Sequence, residues 1–345
     1  MTTSYRTSST GIEWMWKSNS DPWNSSQTDE WRSYSDVETA IIEAAYQRKL
    51  PEALIDDYHI NFQRSVQISN SNQSNQRSVK RVERGRSTSE SRLREARFMP
   101  NPVHPATPFA EQHFFLGFIG EIFKMFGVNE STALDTPENR RKMIQMAADG
   151  IVTEGKLVGK QKEAEWMAEQ LRNVIDESVQ QIWECCAHLY TMESFLYQKM
   201  NEYMRLCGDK SHRDLWRSKV HTFGPFGYLL LSLKWGGEYK KIYVYRGANL
   251  SDDQIQKYRE NIGVYLTFPA FTSTSRNRAK AEQFGNVLFI IHAASNNGHD
   301  VAPYSDYPDE EETLLTADFT FYIRSCTFDQ TKNKWIINIS AWKDD

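Results

Sequence analysis

The stretch Tyr307-Pro308-Asp309-Glu310-Glu311-Glu312-Thr313-Leu314-Leu315 sets four consecutive acidic side chains directly before an apolar run. In an extended conformation alternate side chains share a face. Glu310 and Glu312 then point one way, Asp309 and Glu311 the other. Two carboxylates side by side at the start of an apolar strand repel each other and add nothing to packing. Such pairs are tolerated for charge chemistry, at sites where pKa values are perturbed. Taken alone, the run also fits a solvated acidic turn. Two earlier stretches tip the reading towards chemistry. Lys241-Ile242-Tyr243-Val244-Tyr245-Arg246-Gly247 is a β-branched and aromatic strand ending in Arg-Gly. Phe268-Pro269-Ala270-Phe271-Thr272-Ser273-Thr274-Ser275 is a strand ending in Ser-Thr-Ser.

In this order (aromatic-Arg, Ser-Thr-Ser, Glu-x-Glu, all at strand ends) the chain resembles the R-S-E class of ADP-ribosyltransferases. That class includes arginine-specific vertebrate enzymes and actin-modifying bacterial toxins. Two spacings agree with the resemblance. Phe284 follows Ser273 by eleven residues, where the family has an aromatic against the nicotinamide. Tyr307 precedes Glu310 by three, where the toxin branch carries an aromatic on its substrate-recognition loop. The resemblance implies NAD as co-substrate, no metal, and target proteins carrying exposed arginine as acceptors. It assigns Glu312 to the sugar, whose positive charge on loss of nicotinamide needs a nearby anion. Ser273 would fix that carboxylate. Arg246 would hold an NAD phosphate, and Gly247 would let backbone approach the nicotinamide amide. Phe284 would face the pyridinium cation. Glu310 would pair with the incoming guanidinium, since Glu rather than Gln here goes with arginine as acceptor. Tyr307 would seat the target. Thr313 departs from the Val common in the family and leaves both carboxylates in place.

The expected activity is transfer of a single ADP-ribose to arginine, with release of nicotinamide. An NAD glycohydrolase, and a non-catalytic ADP-ribose-binding adaptor, are the alternatives. No GxGxxG in a strand-turn-helix context and no P-loop supports dinucleotide binding of another kind or NTP hydrolysis.

Upstream, Ile12-Glu13-Trp14-Met15-Trp16 alternates as a strand. Ser35-Asp36-Val37-Glu38 is a capping box, and Ile41, Ile42, Ala45 and Tyr46 follow at helical spacing. Tyr58 to Phe62 and Ser78 to Val82 read as strands around a polar hairpin loop at 70–76. This pattern resembles the WWE domain, a half-barrel with one helix, with Trp14, Trp31 and Glu43 in its name-giving places. Some members bind poly(ADP-ribose), and the resemblance puts Tyr34, Tyr58, Gln67 and Arg77 in that pocket. Tyrosines offer an aromatic wall with a polar tip, and arginine offers a fork for phosphate. The same residues also fit half-buried core aromatics and surface strand positions. A ubiquitin-pathway protein is the other partner the module implies.

Between the modules, Arg84, Arg86, Arg92, Arg94 and Arg97 and then Pro100, Pro102, Pro105 and Pro108 read as a basic, proline-rich linker. The domain reading is therefore a WWE domain at 1–84, a linker at 85–108 and an ADP-ribosyltransferase domain at 109–345. The fold class is α+β: a half-barrel with one helix, then a helical part followed by a two-sheet strand core. In the helical part, Trp166, Met167, Leu171, Val174, Ile175, Ile182 and Trp183 mark one apolar face. Arg205 closes it and reads as a helix-end arginine. His113 and His188 have no metal-ligand partner in register. Strands are expected at 241–246, 264–273, 286–293, 312–326 (two strands, or one bent) and 334–342, with a short helix at 279–284.

The 345 residues carry a net charge of -4, which favours no nucleic-acid partner. The four cysteines, with Cys185 and Cys186 adjacent, suit a reducing compartment. Residues 114–126 are apolar but too short to span a membrane and include Glu121 and Lys124. No membrane partner is expected, and the location expected is intracellular: cytoplasm, with the nucleus open.

Overall fold

The computed structural model describes residues 11–24, 26–83, 108–111, 117–127, 134, 136–208, 210–231 and 240–342. The linker expected at 85–108, apart from Pro108, lies outside the described residues, as does His113.

The N-terminal strands are β1 (Ile12–Lys17) and β2 (Trp31–Ser33). Helix α1 (Asp36–Gln47) opens with the capping box expected: Ser35 Oγ accepts from Glu38 N and the Glu38 carboxylate accepts from Ser35 N. Strands β3 (Glu52–Leu54), β4 (Tyr58–Asn61), β5 (Val66–Ser69) and β6 (Gln76–Glu83) complete a six-stranded antiparallel sheet in the order β2-β1-β6-β5-β4-β3. Strand β3 was too short for its alternation to be read from sequence. Trp14, Ile42, Ile60 and Val79 are buried between α1 and this sheet.

A two-residue strand, β7 (Ala110–Glu111), precedes the helical part. Its helices are α2 (Phe118–Phe126), α3 (Pro137–Leu157), α4 (Gln161–Asn173), α5 (Val179–Thr191) and α6 (Phe195–Arg205). Helix α3 starts with Pro137 at its first position and Thr136 Oγ1 accepting from Asn139 N, as Thr-Pro-Glu implies. Helices α7 (Arg213–Ser218) and α8 (Val220–Leu231) fill the region to which the motifs assign no chemistry. Phe223, Phe226, Leu229 and Leu230 of α8 are buried in the helical core. No helix among the described residues is long and apolar enough to cross a membrane.

The strand-rich half follows: β8 (Lys241–Ala248), α9 (Asp252–Glu260), β9 (Tyr265–Phe268), β10 (Thr272–Ser275), α10 (Arg278–Ala281) and β11 (Val287–Ala294). Then come β12 (Gly298–Asp300), β13 (Glu312–Leu315), β14 (Phe319–Asp329) and β15 (Lys334–Ser340). One run expected as a single strand is split, and the 312–326 run forms two strands, one of the two forms expected of it. The 264–273 run breaks around Pro269, which has no N–H for a ladder, and β9 and β10 then pair with different neighbours. The 312–326 run breaks at Asp318, which is left-handed at φ 62°. Helix α9 was not read from the sequence, although Ser251-Asp252-Asp253-Gln254 forms a capping box.

Nine strands are hydrogen-bonded in the order β12-β13-β10-β8-β11-β15-β14-β9-β7. Strand β10 joins β8 through the register pair Ser275↔Tyr245, so a three-stranded portion meets a six-stranded one at this seam. Different cores lie on either side. Val244, Tyr258, Phe289, Phe321 and Ile337 pack in the six-stranded portion. Leu314 of β13, Phe271 and Val301 belong to the helical core.

The modules share packing. Val37 and Ala40 of α1 are buried in the helical core of the second half. Helix α4 has no side-chain cap from Lys160. Asp56 of the N-terminal module caps it instead: its two carboxylate oxygens accept from Lys162 N at 2.6 Å and Glu163 N at 3.3 Å.

Candidate active site

The acidic run does not take up the extended backbone expected of it. Pro308–Glu310 form a 3-10 turn, and Glu311 is left-handed at φ 48° and ψ 42°. Proline fixes φ and starts the turn, and Glu310 N and Glu311 N donate to Tyr307 O and Pro308 O, both at 3.0 Å. Strand β13 begins at Glu312. Alternation is therefore not what turns the two carboxylates inward. Both are nonetheless buried, at 2% exposure for Glu310 and 0% for Glu312.

The turn is pinned from β10 and α10. Ser275 Oγ donates to Glu310 O at 2.7 Å, Arg276 N donates to Glu311 O, Asn277 Nδ2 reaches Glu311 Oε1, and Lys280 Nζ donates to Asp309 O. Ser275, the second serine of Ser-Thr-Ser, was missed as a site residue in the sequence. The repeated hydroxyl was the available signal.

Strand pairing sets where the first serine lies. Ser275 faces Glu312 and Ser273 faces Leu314 across the antiparallel ladder. Residues directly opposite share a face, so Ser273 is a diagonal neighbour of Glu312. From β8, Arg246 Nη1 donates to Ser273 O at 2.5 Å. Arg246, Ser273 and Glu312 thus converge from three adjacent strands. Burial, and then the positive charge of Arg205, pull the Arg246 guanidinium down to about 10, against the pull of Tyr190, Tyr258 and Glu312. It stays charged at neutral pH.

Gly247 and Phe284 lie together. A Cβ on Gly247 would fall 2.3 Å from Ala281 O and 2.5 Å from Phe284 Cβ. The position therefore has to be glycine because the α10–Phe284 segment lies against it. Gly285 is left-handed at φ 57° and backs onto Ala248 O, which brings the same segment onto the end of β8. Phe284 is buried. Tyr307 is also buried, at 7% exposure, and its hydroxyl donates to Asp36 Oδ1 of α1 at 2.7 Å.

A cleft beside this convergence is lined by Tyr197, Asn201, Arg205, Arg246, Phe271 and Ser273. Tyr197, Asn201 and Arg205 lie at i, i+4 and i+8, one face of α6. Asn201 Nδ2 donates to Tyr190 OH at 2.7 Å. Arg205 Nε is buried with no hydrogen-bond partner, and burial lowers its pKa. A buried guanidinium nitrogen without an acceptor carries a desolvation cost that an anion would relieve. Two guanidiniums near one cleft, one of them orphaned in part, fit the diphosphate of NAD. The helical spacing on α6 was the sequence signal for Arg205. What it lacked was the neighbour, since Arg205 on α6 and Arg246 on β8 are 41 residues apart in the chain.

In the N-terminal module Tyr58, Gln67 and Arg77 come from the adjacent strands β4, β5 and β6, and Tyr34 lies just before α1. Tyr34 OH donates to Gln67 Oε1 at 2.5 Å, and Gln67 faces Arg77 across the β5–β6 ladder. Arg77 Nη1 donates to Lys17 O and Asn19 O, and its guanidinium lies over Trp16. Burial, then Glu38 and Tyr58, raise the Tyr34 pKa. Beneath them Glu43 accepts from Trp14 Nε1 and, at two points, from Arg81. Elsewhere His188 Nδ1 is engaged with Tyr304 O, and among the described residues no three His, Cys, Asp or Glu side chains are grouped as metal ligands would be.

The chain belongs to the NAD:arginine ADP-ribosyltransferase family: the model of that description matches residues 153–345, more than half of the chain. Residues 12–81 match the WWE domain. A Mycobacterium avium (strain 104) protein, Mav, named as an NAD(+)–arginine ADP-ribosyltransferase, is 40% identical over 99 residues. That match takes in 28% of this chain and 12% of Mav's length. Among solved structures, the effector XopAI of Xanthomonas axonopodis pv. citri is similar over 70% of this chain and 98% of its own, at 15% identity and a TM-score of 0.45. The ADP-ribosyltransferase HopU1 of Pseudomonas syringae pv. tomato DC3000 is similar over 59% and 97%, at 23% identity and 0.40. Exoenzyme S of Pseudomonas aeruginosa, solved with human 14-3-3 protein beta and carba-NAD, is similar over 57% and 88%, at 16% and 0.37.

Proposed function

We propose that the chain cleaves NAD at the nicotinamide–ribose bond and transfers the single ADP-ribose to arginine side chains of target proteins. The observation that carries this is the convergence of Arg246, Ser273 and the fully buried Glu312 from β8, β10 and β13. As nicotinamide leaves, its ribose becomes cationic. A carboxylate held out of water beside it acts at a low effective dielectric, where a charge has its largest effect. Glu312 supplies that anion and Ser273 sets its orientation. Arg246 and Arg205 hold the diphosphate, so the sugar is fixed before the bond breaks. Phe284 walls the nicotinamide side. Glu310, on a turn pinned by Ser275, pairs with the guanidinium that attacks.

The test is nicotinamide release and transfer to a small guanidine, measured together. Glu312→Ala is expected to lower both by 100-fold or more, the size of losing a charge-stabilising group. Glu310→Gln is expected to lower transfer while release into water persists. Turnover that survives Glu312→Ala refutes the assignment.

The N-terminal pocket adds a second property. Tyr34, Tyr58, Gln67 and Arg77 together carry an aromatic wall, an amide and a phosphate-binding fork, which fits a unit of poly(ADP-ribose). Retention of the polymer by the full chain, and its loss in Tyr58→Ala, is the expected result; a ubiquitin-pathway protein held in place of the polymer would assign the module to protein contacts.

A further inference from the structure

Helix α1 does more than complete the N-terminal module. At its first turn the Asp36 carboxylate is divided between two groups of the other half: Oδ1 accepts from Tyr307 OH at 2.7 Å and Oδ2 from Glu193 N at 2.7 Å. Two residues on, Glu38 Oε1 accepts from Lys160 Nζ at 3.0 Å. Val37 and Ala40, on the same helix, are sealed into the helical core. Asp56 caps α4 nearby. The module is thus seated through the first turns of α1 and through Asp56, with apolar and charged contacts together.

Tyr307 is the point where this seat meets the chemistry. Its N–H donates to Ser305 Oγ at 3.0 Å and its carbonyl accepts from Glu310 N. At the far end of the same turn, Ser275 Oγ holds Glu310 O. The turn is therefore anchored at two ends by different parts of the molecule: at Glu310 by the sheet, at Tyr307 by α1. We propose that Asp36 is a positioning residue for acceptor recognition: through the Tyr307 hydroxyl, the N-terminal module sets the turn that presents Glu310 to the incoming guanidinium. The bond from the phenol to the carboxylate is partly buried, which limits competition from water. Glu312 lies on β13 beyond the turn and does not depend on this bond. The inference rests on the transferase reading of Glu310.

Three variants of the full chain test it: Asp36→Ala, Asp36→Asn, whose amide oxygen still accepts from the phenol, and the double variant Asp36→Ala with Tyr307→Phe. Amide hydrogen exchange reads the turn itself. In Asp36→Ala, exchange across residues 305–311 is expected to rise at least fivefold while β11 is unchanged; in Asp36→Asn it stays near the wild-type rate. With a small guanidine as acceptor, KM for the acceptor is expected to rise about fivefold or more in Asp36→Ala. Release of nicotinamide into water stays within twofold of wild type. The double variant is no worse than Asp36→Ala, because one interaction has been removed twice. Unchanged exchange at 305–311 in Asp36→Ala overturns the proposal whatever the activity. Equal losses of hydrolysis and transfer overturn it in favour of a purely structural contact, and a gain in transfer overturns it in favour of an obstructing one. A wild-type chain that releases no nicotinamide refutes the transferase reading instead, a result separate from the exchange rates.

Discussion

Gly247 shows how little room the chemistry leaves. No φ value forces glycine here; the neighbouring atoms do. Ala281 O and Phe284 Cβ occupy the space a methyl group would need. Those atoms belong to α10 and the residue that walls the candidate nicotinamide site, so a methyl group pushes that wall away from Arg246. Overpacking of this kind typically costs about 1–3 kcal/mol, and a displacement of about 1 Å can cost about 100-fold in rate. Gly247→Ala is thus expected to lower nicotinamide release far more than it lowers the melting temperature. A rate within threefold of wild type would show that the segment yields without consequence. Arg246, Ser273 and Glu312 could all be singled out in the chain because each belongs to a short local motif of its own: Tyr-Arg-Gly, Ser-Thr-Ser and Glu-x-Glu. Arg205 and Ser275 could not be given roles that way. One needed the approach of α6 to β8, the other the departure of the acidic turn from extended backbone.

Helix α1 is held to its own sheet through Glu43. Its carboxylate accepts from Trp14 on β1 and Arg81 on β6, with Gln47 one turn along the helix. Burial pushes the Glu43 pKa up, but the hydrogen bonds from Arg81, Gln47 and Trp14 outweigh it and hold the group below its ordinary value. A carboxylate with a depressed folded pKa contributes stability above its unfolded pKa and loses it as pH falls through the folded one. The clamp is therefore present at neutral pH and fails in acid. Glu43→Gln leaves Arg81 and Trp14 facing a neutral group and is expected to destabilise the chain by about 2–4 kcal/mol at pH 7, less than full removal of a deeply buried partner because Arg81 is itself in part exposed. The deficit should shrink as pH is lowered towards 3 in urea titrations followed by tryptophan fluorescence; a deficit constant with pH would deny the carboxylate its role. The capping box at Ser35 and the proline start of α3 were equally visible in sequence, since each is a contact between residues a few positions apart.

The two halves meet around a buried acid. Glu163, at the start of α4, accepts from Phe195 N at 3.0 Å and lies 3.8 Å from Lys160. Burial pushes its carboxyl up to about 7, against the Phe195 N–H and Lys160, and Glu38 and Asp56 of the N-terminal module push the same way as burial. A carboxyl raised in this way keeps its proton in the folded chain from its ordinary value of 4.5 up to about 7. The folded state then holds more protons than the unfolded one, and stability falls as pH rises through that window, by about 3 kcal/mol in all. Melting temperatures taken between pH 5 and pH 8 are expected to decline more steeply in the wild-type chain than in Glu163→Gln, whose side chain carries no proton to lose. Parallel curves would remove Glu163 from the account.

Periodicity, caps and strand-end motifs act over short spans of chain, and they were enough to specify a half-barrel with one helix, a helical part and a strand-rich core, and to single out the residues proposed to face NAD. The contacts that join these pieces act between groups more than a hundred positions apart: Asp36 to Tyr307, Asp56 to the backbone at the start of α4. No local propensity encodes such a meeting. It exists because Val37 and Ala40 are buried against the second half's helices, and that burial carries Asp36 to the turn where Glu310 waits.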